Sequence, residues 1–167
     1  MIHETAVVDN NIKIDDSTKV WHWAQIRENS KIGKGCIIGK STYIGCGVKI
    51  GDYCKIQNNS SIYQGSILKK GVFIGPHCVL TNDKNPRAVN TDFSLKNGND
   101  WQIKGITIKK GASIGARTVI LPGVTIGAWA MIGAGSVVTK DIPSYSLAYG
   151  NPARVRGKVN KKGEKIE

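Results

Sequence analysis

The sequence lacks the marks of a membrane protein, a zinc protein or a nucleic-acid-binding module. No apolar run approaches the ~18 residues that a membrane-spanning helix needs, and the 4 cysteines have no CxxC spacing. Only 12 acidic residues stand against 24 basic ones, but the basic residues are scattered and no aromatic platform for stacking bases accompanies them. The formal charge of +12 therefore indicates either a solvated, lysine-rich exterior or a field that attracts polyphosphate ligands.

What the sequence does contain is an aliphatic residue at every sixth position over most of its length. A fixed period of six residues is typical of a parallel β-helix, whereas an α-helix would spread such a stripe around its cylinder. The position four residues later is nearly always small, and Gly or Asn often precedes it, as corners with positive φ require. The stripe consists of Ile2, Val8, Ile14, Val20, Ile26, Ile32, Ile38, Ile44, Ile50, Ile56, Ile62, Leu68, Ile74 and Leu80, and it resumes at Ile108, Ile114, Ile120, Ile126, Ile132 and Val138.

The period predicts an all-β fold: a triangular prism in which three hexads close one coil and residues 18 apart stack at ~4.8 Å. We expect one domain, with β-helix coils over 1–80 and 106–142. The polar stretch 81–105 breaks the period and is predicted to be an excursion loop, of the kind that is usually functional. Residues 143–167 form a C-terminal tail after Pro143, and its charged end is expected to fray.

The hexads also place the cysteines and suggest where the protein resides. Cys36, Cys54 and Cys78 fall at the small inward position and are predicted to be buried apolar residues, whereas Cys46 points outward. The first hexad begins at Ile2, so we expect no signal peptide and a cytoplasmic protein without a membrane partner.

One vertical set of polar residues is the strongest candidate for a site. Glu28, Cys46, Gln64 and Asn82 are each 18 residues apart, so they should form a ladder along one edge that ends where the excursion begins. Asn82 and Asp83 would then project at the root of the loop, directly above Gln64. The alternative is that the Asn-Asp pair only forms an Asx turn that starts the loop.

Three segments make the sequence similar to one known group of enzymes: Thr-Asn-Asp-Lys-Asn-Pro-Arg-Ala at 81–88, Ser94 to Trp101, and Gly-Ala-Ser-Ile-Gly-Ala at 111–116. Together with the hexads they resemble the hexapeptide-repeat acyltransferases that N-acetylate the 3-amino group of nucleotide-linked sugars. The resemblance covers essentially the whole chain. It implies a left-handed β-helix, acetyl-CoA as co-substrate, a homotrimer, and a role in surface polysaccharide or glycan assembly. UDP-2-acetamido-3-amino-2,3-dideoxy-glucuronate is the favoured substrate, while dTDP sugars, the C6 carboxylate and the acyl length stay open.

The resemblance also implies roles for residues near the ladder. Asn82 and Asp83 match the Asn-Asp motif that contacts the sugar near its amine. Gln64 stands where a carboxylate or amide often lies in this branch, and because Gln is not a base, direct attack by a neutral amine is the expected mechanism. His77 is the competing candidate for a general base. For the nucleotide sugar, Arg27 and Arg87 are candidates to bind the diphosphate or a sugar carboxylate, and Glu28 and Tyr63 are candidates to line the pocket.

For acetyl-CoA, the resemblance points to small residues on the later coils and to the tail. Ala116 and Ala134 are 18 apart and would let the pantetheine arm lie close, although Gly-Ala is also ordinary corner chemistry. Asn151 and Arg154, in Asn-Pro-Ala-Arg, are candidates to bind the cofactor, with Arg154 on its phosphates. No metal site is expected.

Three other functions compete with this interpretation. An O-acetyltransferase of a small hydroxyl substrate would use a histidine base. A γ-class carbonic anhydrase, also built on this prism, needs three converging histidines, and the spacing of His3, His22 and His77 does not suit one. A non-catalytic β-helix scaffold would need neither the 81–105 loop nor the basic tail.

Overall fold

A computed structural model describes residues 1–166. These residues form 21 strands and no helix. Nearly all are two residues long, because each hexad supplies one short flat segment and one corner. The strands are β1 (Val7–Val8), β2 (Lys13–Ile14), β3 (Lys19–Val20), β4 (Gln25–Ile26), β5 (Lys31–Ile32), β6 (Ile37–Ile38), β7 (Tyr43–Ile44), β8 (Lys49–Ile50), β9 (Lys55–Ile56), β10 (Ser61–Ile62), β11 (Ile67–Leu68), β12 (Phe73–Ile74), β13 (Val79–Leu80), β14 (Thr107–Ile108), β15 (Ser113–Ile114), β16 (Val119–Ile120), β17 (Thr125–Ile126), β18 (Met131–Ile132), β19 (Val137–Val138), β20 (Ser146–Gly150) and β21 (Ala153–Lys158).

Every third strand pairs in parallel, which makes three sheets around one prism. The first sheet has the order β1-β4-β7-β10-β13-β16-β19, the second β17-β14-β11-β8-β5-β2, and the third β21-β20-β18-β15-β12-β9-β6-β3. Partners are 18 residues apart below the excursion, as in Val8 and Ile26. The predicted fold class, a left-handed parallel β-helix of hexapeptide repeats, is confirmed.

The register continues across residues 81–105. Leu80 pairs with Ile120 and Leu68 with Ile108, both 40 residues apart, so the excursion adds 22 residues to one coil. No strand of the stack lies between β13 and β14, and the chain re-enters the prism at Ile106, which is fully buried.

The core is the aliphatic stripe itself. The second residue of each strand from β3 to β19 is buried, whereas the first points outward. At the corners the inward positions hold small side chains. Some of these are hydroxyls that donate to a carbonyl 15 residues ahead, as Ser60 Oγ does to Gly75 O at 2.8 Å. Cys36, Cys54 and Cys78 are free and buried, as predicted, and Cys46 is partly exposed.

The three sheets differ in the charge of their outer surfaces. Lysines occupy outward positions on the second sheet (Lys13, Lys31 and Lys49) and on the third (Lys19 and Lys55). The first sheet carries no charged residue in any of its outward positions, which are Val7, Gln25, Tyr43, Ser61, Val79, Val119 and Val137.

The expectation that the end of the tail frays is wrong for the described residues. Strands β20 and β21 form an antiparallel hairpin, and β20 pairs with β18 at the edge of the third sheet. Val159 is buried, and its bridge to Lys165 folds the last residues back. Pairing at the sheet edge satisfies backbone groups that an open edge would leave to water, so a charged sequence is ordered there. No helix long and apolar enough to cross a membrane occurs in the described part of the chain.

Candidate functional site

The prism has three corners, which we name by one residue each. The Asn82 corner follows the first sheet, the Lys70 corner follows the second, and the Ala116 corner follows the third. The corners define the site because nearly every polar candidate from the sequence lies at one of them.

A pocket of about 390 Å³ opens at the Asn82 corner, and all four members of the predicted ladder line it. The excursion covers its upper end, so the pocket lies where the ladder meets the loop. Its lining residues are Arg27, Glu28, Tyr43, Cys46, Tyr63, Gln64, Asn82 and Trp101.

Asn82 is held in place by the coil below and by the returning loop. Its Nδ2 donates to the backbone carbonyl of Gln64 at 3.2 Å, and its own carbonyl accepts from Lys104 N at 2.9 Å. The side-chain Oδ1 has no hydrogen-bond partner among the described residues. It is therefore available to accept a hydrogen bond from an amine or hydroxyl in the pocket.

Arg27 lines the same pocket but is already paired with carboxylates. Its Nε donates to Asp9 at 2.6 Å and to Glu28 at 3.2 Å. The hydrogen bond to Arg27 lowers the pKa of Asp9, and that to Asp9 raises the pKa of Arg27. A guanidinium shared by two carboxylates is a weak partner for a further anion, so its main effect is to orient Glu28.

Two other predicted residues lie outside this pocket. Asp83 Oδ1 accepts from Asn85 N at 2.9 Å, which is an Asx turn at the start of the loop, and Asp83 lines a separate pocket of about 270 Å³. That pocket also contains Lys84, Lys96 and Lys104. Arg87 donates to the carbonyl of Pro86 at 3.0 Å and lines a third hollow with Asp92 and Asp100.

His77 does not share the Asn82 pocket within one protomer. Strand β13 separates the two residues, so His77 lies at the Ala116 corner, 3.4 Å from Asn59 Nδ2. Two residues on either side of one strand lie at different corners, so the role of His77 as a base stays a prediction.

The predicted acetyl-CoA residues come together at the Ala116 corner. Gly135 N donates to Ala116 O at 2.8 Å, which stacks the Ala134 turn directly above Ala116. The hairpin turn that contains Asn151 lies next in line, since Gly150 N donates to Ser136 Oγ at 3.2 Å. Arg154 opposes Tyr149 in the same hairpin.

Sequence reasoning predicted Tyr63 as a lining residue but missed the other two aromatic residues of the Asn82 pocket, Tyr43 and Trp101. Tyr43 and Tyr63 pack with ring centroids 5.5 Å apart, and Trp101 from the loop completes the lining. The hexads could have identified Tyr43, because they place it on the outer surface of the first sheet, one coil below Ser61. They could not have identified Trp101, because no periodicity positions a residue inside the excursion.

Two of the three histidines pack against each other. His3 and His22 stack with centroids 3.6 Å apart near the N-terminal end of the prism. No group of three or more His, Cys, Asp or Glu side chains that could hold a metal ion occurs among residues 1–166.

Comparison with known proteins identifies a matching family and several similar proteins. The model of the family described as bacterial transferase hexapeptide (six repeats) matches residues 11–46, 47–82 and 105–140. The dTDP-3-amino-3,6-dideoxy-alpha-D-galactopyranose 3-N-acetyltransferase of Aneurinibacillus thermoaerophilus is 69% identical over 52 residues, which are 31% of this chain and 27% of that protein. The galactoside O-acetyltransferase of Lactococcus lactis is 33% identical over 78% of this chain and 64% of its own length. The chain thus spans less than two thirds of either relative.

Two solved structures share the fold. A candidate acetyltransferase from Bacillus cereus superposes with a TM-score of 0.75 at 26% identity, covering 95% of this chain and 87% of that one. PerB from Caulobacter crescentus, in complex with CoA and GDP-perosamine, gives a TM-score of 0.53 at 26% identity, covering 93% of this chain and 56% of that one.

Proposed function

The chain belongs to the bacterial transferase hexapeptide family, and from that premise we propose that it transfers an acetyl group from acetyl-CoA to a nucleotide-linked amino sugar. The acceptor is the 3-amino group, with UDP-2-acetamido-3-amino-2,3-dideoxy-glucuronate as the favoured substrate, in surface polysaccharide or glycan assembly. The observation that carries the proposal is the pocket in which Asn82, Gln64 and Glu28 stack beneath the excursion. The similarity to a dTDP-3-amino-sugar N-acetyltransferase supports the substrate class.

The chemistry follows from the groups in that pocket. Asn82 Oδ1 accepts a hydrogen bond from the sugar amine and orients its lone pair. The neutral amine attacks the thioester carbonyl; the new N–C bond forms, the C–S bond breaks, and the amine proton passes to the CoA sulfur. Gln64 cannot take that proton, so alignment of the reactants supplies much of the rate.

The diphosphate of the substrate needs cations, and the loop supplies them. Three lysines outnumber two carboxylates, Asp83 and Asp100, in the pocket beside the Asn82 pocket, and Trp101 borders both pockets. The lysines are Lys84, Lys96 and Lys104. Arg27 is neutralised by Asp9 and Glu28. We therefore assign the phosphates to the loop lysines and the sugar to the ladder.

The acetyl-CoA residues and Asn82 lie at different corners, which makes oligomerisation part of the proposal. The first sheet separates the Ala116 corner from the Asn82 corner in one protomer. That sheet is also the one with no outward charge, so it can be covered by a neighbouring copy at little electrostatic cost. A homotrimer through this face brings the Ala116 corner of one protomer to the Asn82 corner of the next.

The test is release of the CoA thiol with acetyl-CoA and a panel of UDP- and dTDP-3-amino sugars. Asn82→Ala should lower kcat/KM by about a hundredfold, because the amine loses its orienting group. Asn99→Ala, an exposed amide on the same loop, is the matched control and should retain activity. Full activity in Asn82→Ala would show that the sugar does not bind in this pocket.

The similarity to a galactoside O-acetyltransferase favours one second candidate, O-acetylation of a small hydroxyl. A hydroxyl must lose its proton during attack, so this activity would depend on a base such as His77. Turnover of galactosides that exceeds turnover of amino sugars, and that is lost in His77→Ala, would establish this alternative.

A further inference from the structure

The Lys70 corner carries a second pocket that the proposed transfer reaction does not use. Its volume is about 310 Å³, and we call it the Lys70 slot. It is lined by Tyr53, Lys70, Gly71, Lys110, Gly111, Trp129 and Lys161. It lies at the third corner of the prism, away from both the Asn82 pocket and the acetyl-CoA residues.

The slot exists because two glycines, Gly71 and Gly111, lie between two aromatic residues in one vertical column. Tyr53 packs over Gly35, and the Trp129 ring packs over Gly111, where a Cβ atom would overlap the indole. Between them, a Cβ at Gly71 would meet nothing within 4 Å. Trp129 stands three coils above Tyr53, so the two rings bound an open space ~14 Å high with a glycine floor.

The charge of the slot is positive. Lys34 and Lys70 lie 5.8 and 5.2 Å from the centroid of Tyr53, and Lys161 lies 5.8 Å from that of Trp129. No carboxylate is among its lining residues. The nearby Asp52 accepts from the backbone N–H of Lys34 at 3.1 Å, and among the described residues no salt bridge joins a carboxylate to a lysine of the slot.

The two aromatic residues lie at turn positions where the backbone is left-handed. Tyr53 has φ 58° and Trp129 has φ 59°. Gly or Asn occupies many of the equivalent positions, as at Asn29, Asn59 and Gly71, and bulky side chains also occur there, at Trp23, His77, Arg117 and Tyr145. Both rings of the slot therefore project from the same kind of turn at the same corner.

We propose that the Lys70 slot binds a nucleoside diphosphate, with the base stacked on Trp129 or Tyr53 and the phosphates on Lys70, Lys110 and Lys161. Flat rings beside ammonium groups suit a base with phosphates attached, because stacking and ion pairing then act on one ligand. Inorganic phosphate has no ring to stack on the aromatic residues of the slot, and a neutral nucleoside has no phosphate to pair with its lysines. The site is separate from the transfer site, so occupancy does not require a transfer reaction.

The experiment uses full-length protein labelled with fluorotryptophan, in which the Trp129 resonance is assigned with Trp129→Phe. ADP and UDP are titrated, with inorganic pyrophosphate and uridine as partial ligands. The Trp129 resonance should shift saturably with either nucleotide, and binding of pyrophosphate or uridine should be at least about fivefold weaker. Trp101, in the Asn82 pocket, reports separately on binding at the transfer site.

Two variants with matched controls decide the outcome. Gly71→Asn fills the floor without changing charge, and Asn already adopts this conformation at positions 11, 29 and 59. Gly71→Asn and Lys110→Ala should each weaken the Trp129 response by at least about fivefold. Gly135→Asn, an open turn at another corner, and Lys49→Ala, a lysine on the second sheet, should leave it unchanged.

A Trp129 resonance that stays fixed while Trp101 shifts would overturn the proposal. Equal affinity for pyrophosphate and nucleotide would also overturn the proposal, since only the lysines of the slot would then contribute to binding. Melting temperatures of the variants establish that each is folded, and Lys110→Ala tests the slot even where Gly71→Asn is unstable.

Discussion

Most buried hydroxyl groups inside the prism donate to a carbonyl of the corner above them, as at Thr18, Ser30, Thr42, Ser60 and Thr118. Ser60 Oγ donates to Gly75 O and accepts from Cys78 N at 3.1 Å. Ser66, equally buried at the Asn82 corner, has no hydrogen-bond partner for its Oγ in the described structure. A buried serine therefore stabilises the fold at one corner and destabilises it at another corner of the same coil.

This contrast gives a matched pair of substitutions. Ser60→Ala should cost about 1–3 kcal/mol of unfolding free energy, because it leaves the buried Cys78 N–H unpaired. Ser66→Ala should be neutral or slightly stabilising, because it removes a polar group that was desolvated without compensation. Urea denaturation of both variants measures the difference, and equal destabilisation would contradict the assignment of Ser66.

Cys46 is the only cysteine of the four with partial exposure, and it lies in the Asn82 pocket. Burial and the neighbouring Glu28 raise the pKa of its thiol above the ordinary value of 9.0. Because the thiolate reacts, alkylation by N-ethylmaleimide should be slower at pH 7 than for a free cysteine and should still accelerate above pH 9.

Glu28→Gln should speed alkylation of Cys46 at pH 8, since it removes the nearby negative charge, whereas Glu4→Gln should not. Mass spectrometry of the labelled protein identifies the site. Labelling of Cys36, Cys54 or Cys78 in the native protein would show that the prism opens more readily than its packing indicates.

At the scale of elements, the excursion returns to the prism through one close contact between two backbone segments. Gly105 lies directly against Gly65, and a Cβ on Gly105 would overlap the carbonyl oxygen of Gly65. Next to it, Lys104 N donates to Asn82 O and Gly123 N donates to Lys104 O. The return of the loop therefore positions the root of the Asn82 pocket.

Gly105→Ala should cost about 1–3 kcal/mol through overpacking against backbone that cannot move aside. Because the same segment fixes Asn82, kcat/KM should fall as well. Gly98→Ala, in an open part of the same loop with nothing within 4 Å, should change unfolding free energy by less than about 0.5 kcal/mol. Thermal melts and the thiol-release assay compare the two, and a neutral Gly105→Ala would contradict the described return.

The elements also show how far sequence reasoning reaches. The hexads predicted which residue of each strand is buried and which residues stack, so the ladder of Glu28, Gln64 and Asn82 could be found without coordinates. Inside the excursion no period exists, and so Trp101 was missed, while Arg87 lines a hollow other than the Asn82 pocket. The tail was predicted to fray because its sequence is charged, but edge pairing between β20 and β21 orders it.

At the scale of the whole molecule, the proposed reaction would use two corners of the prism. The first sheet lies between Asn82 and the stacked pair Ala116 and Ala134, and its outer surface has no charge. The other two sheets carry lysines that would repel a second copy. This distribution of charge favours a ring in which each transfer site belongs to two protomers.

Mixed trimers test that arrangement. Asn82→Ala removes the sugar-orienting amide, and Ala134→Trp should block acetyl-CoA at the Ala116 corner, so each variant alone should keep about a hundredth of wild-type activity or less. When the two are co-expressed with different tags and purified through both, every mixed ring of three contains one junction with both halves intact. Such trimers should recover about one third of wild-type activity in the thiol-release assay. Recovery requires that Asn82 of one protomer meets acetyl-CoA held by the next, and trimers as inactive as either parent would place the whole reaction within a single protomer.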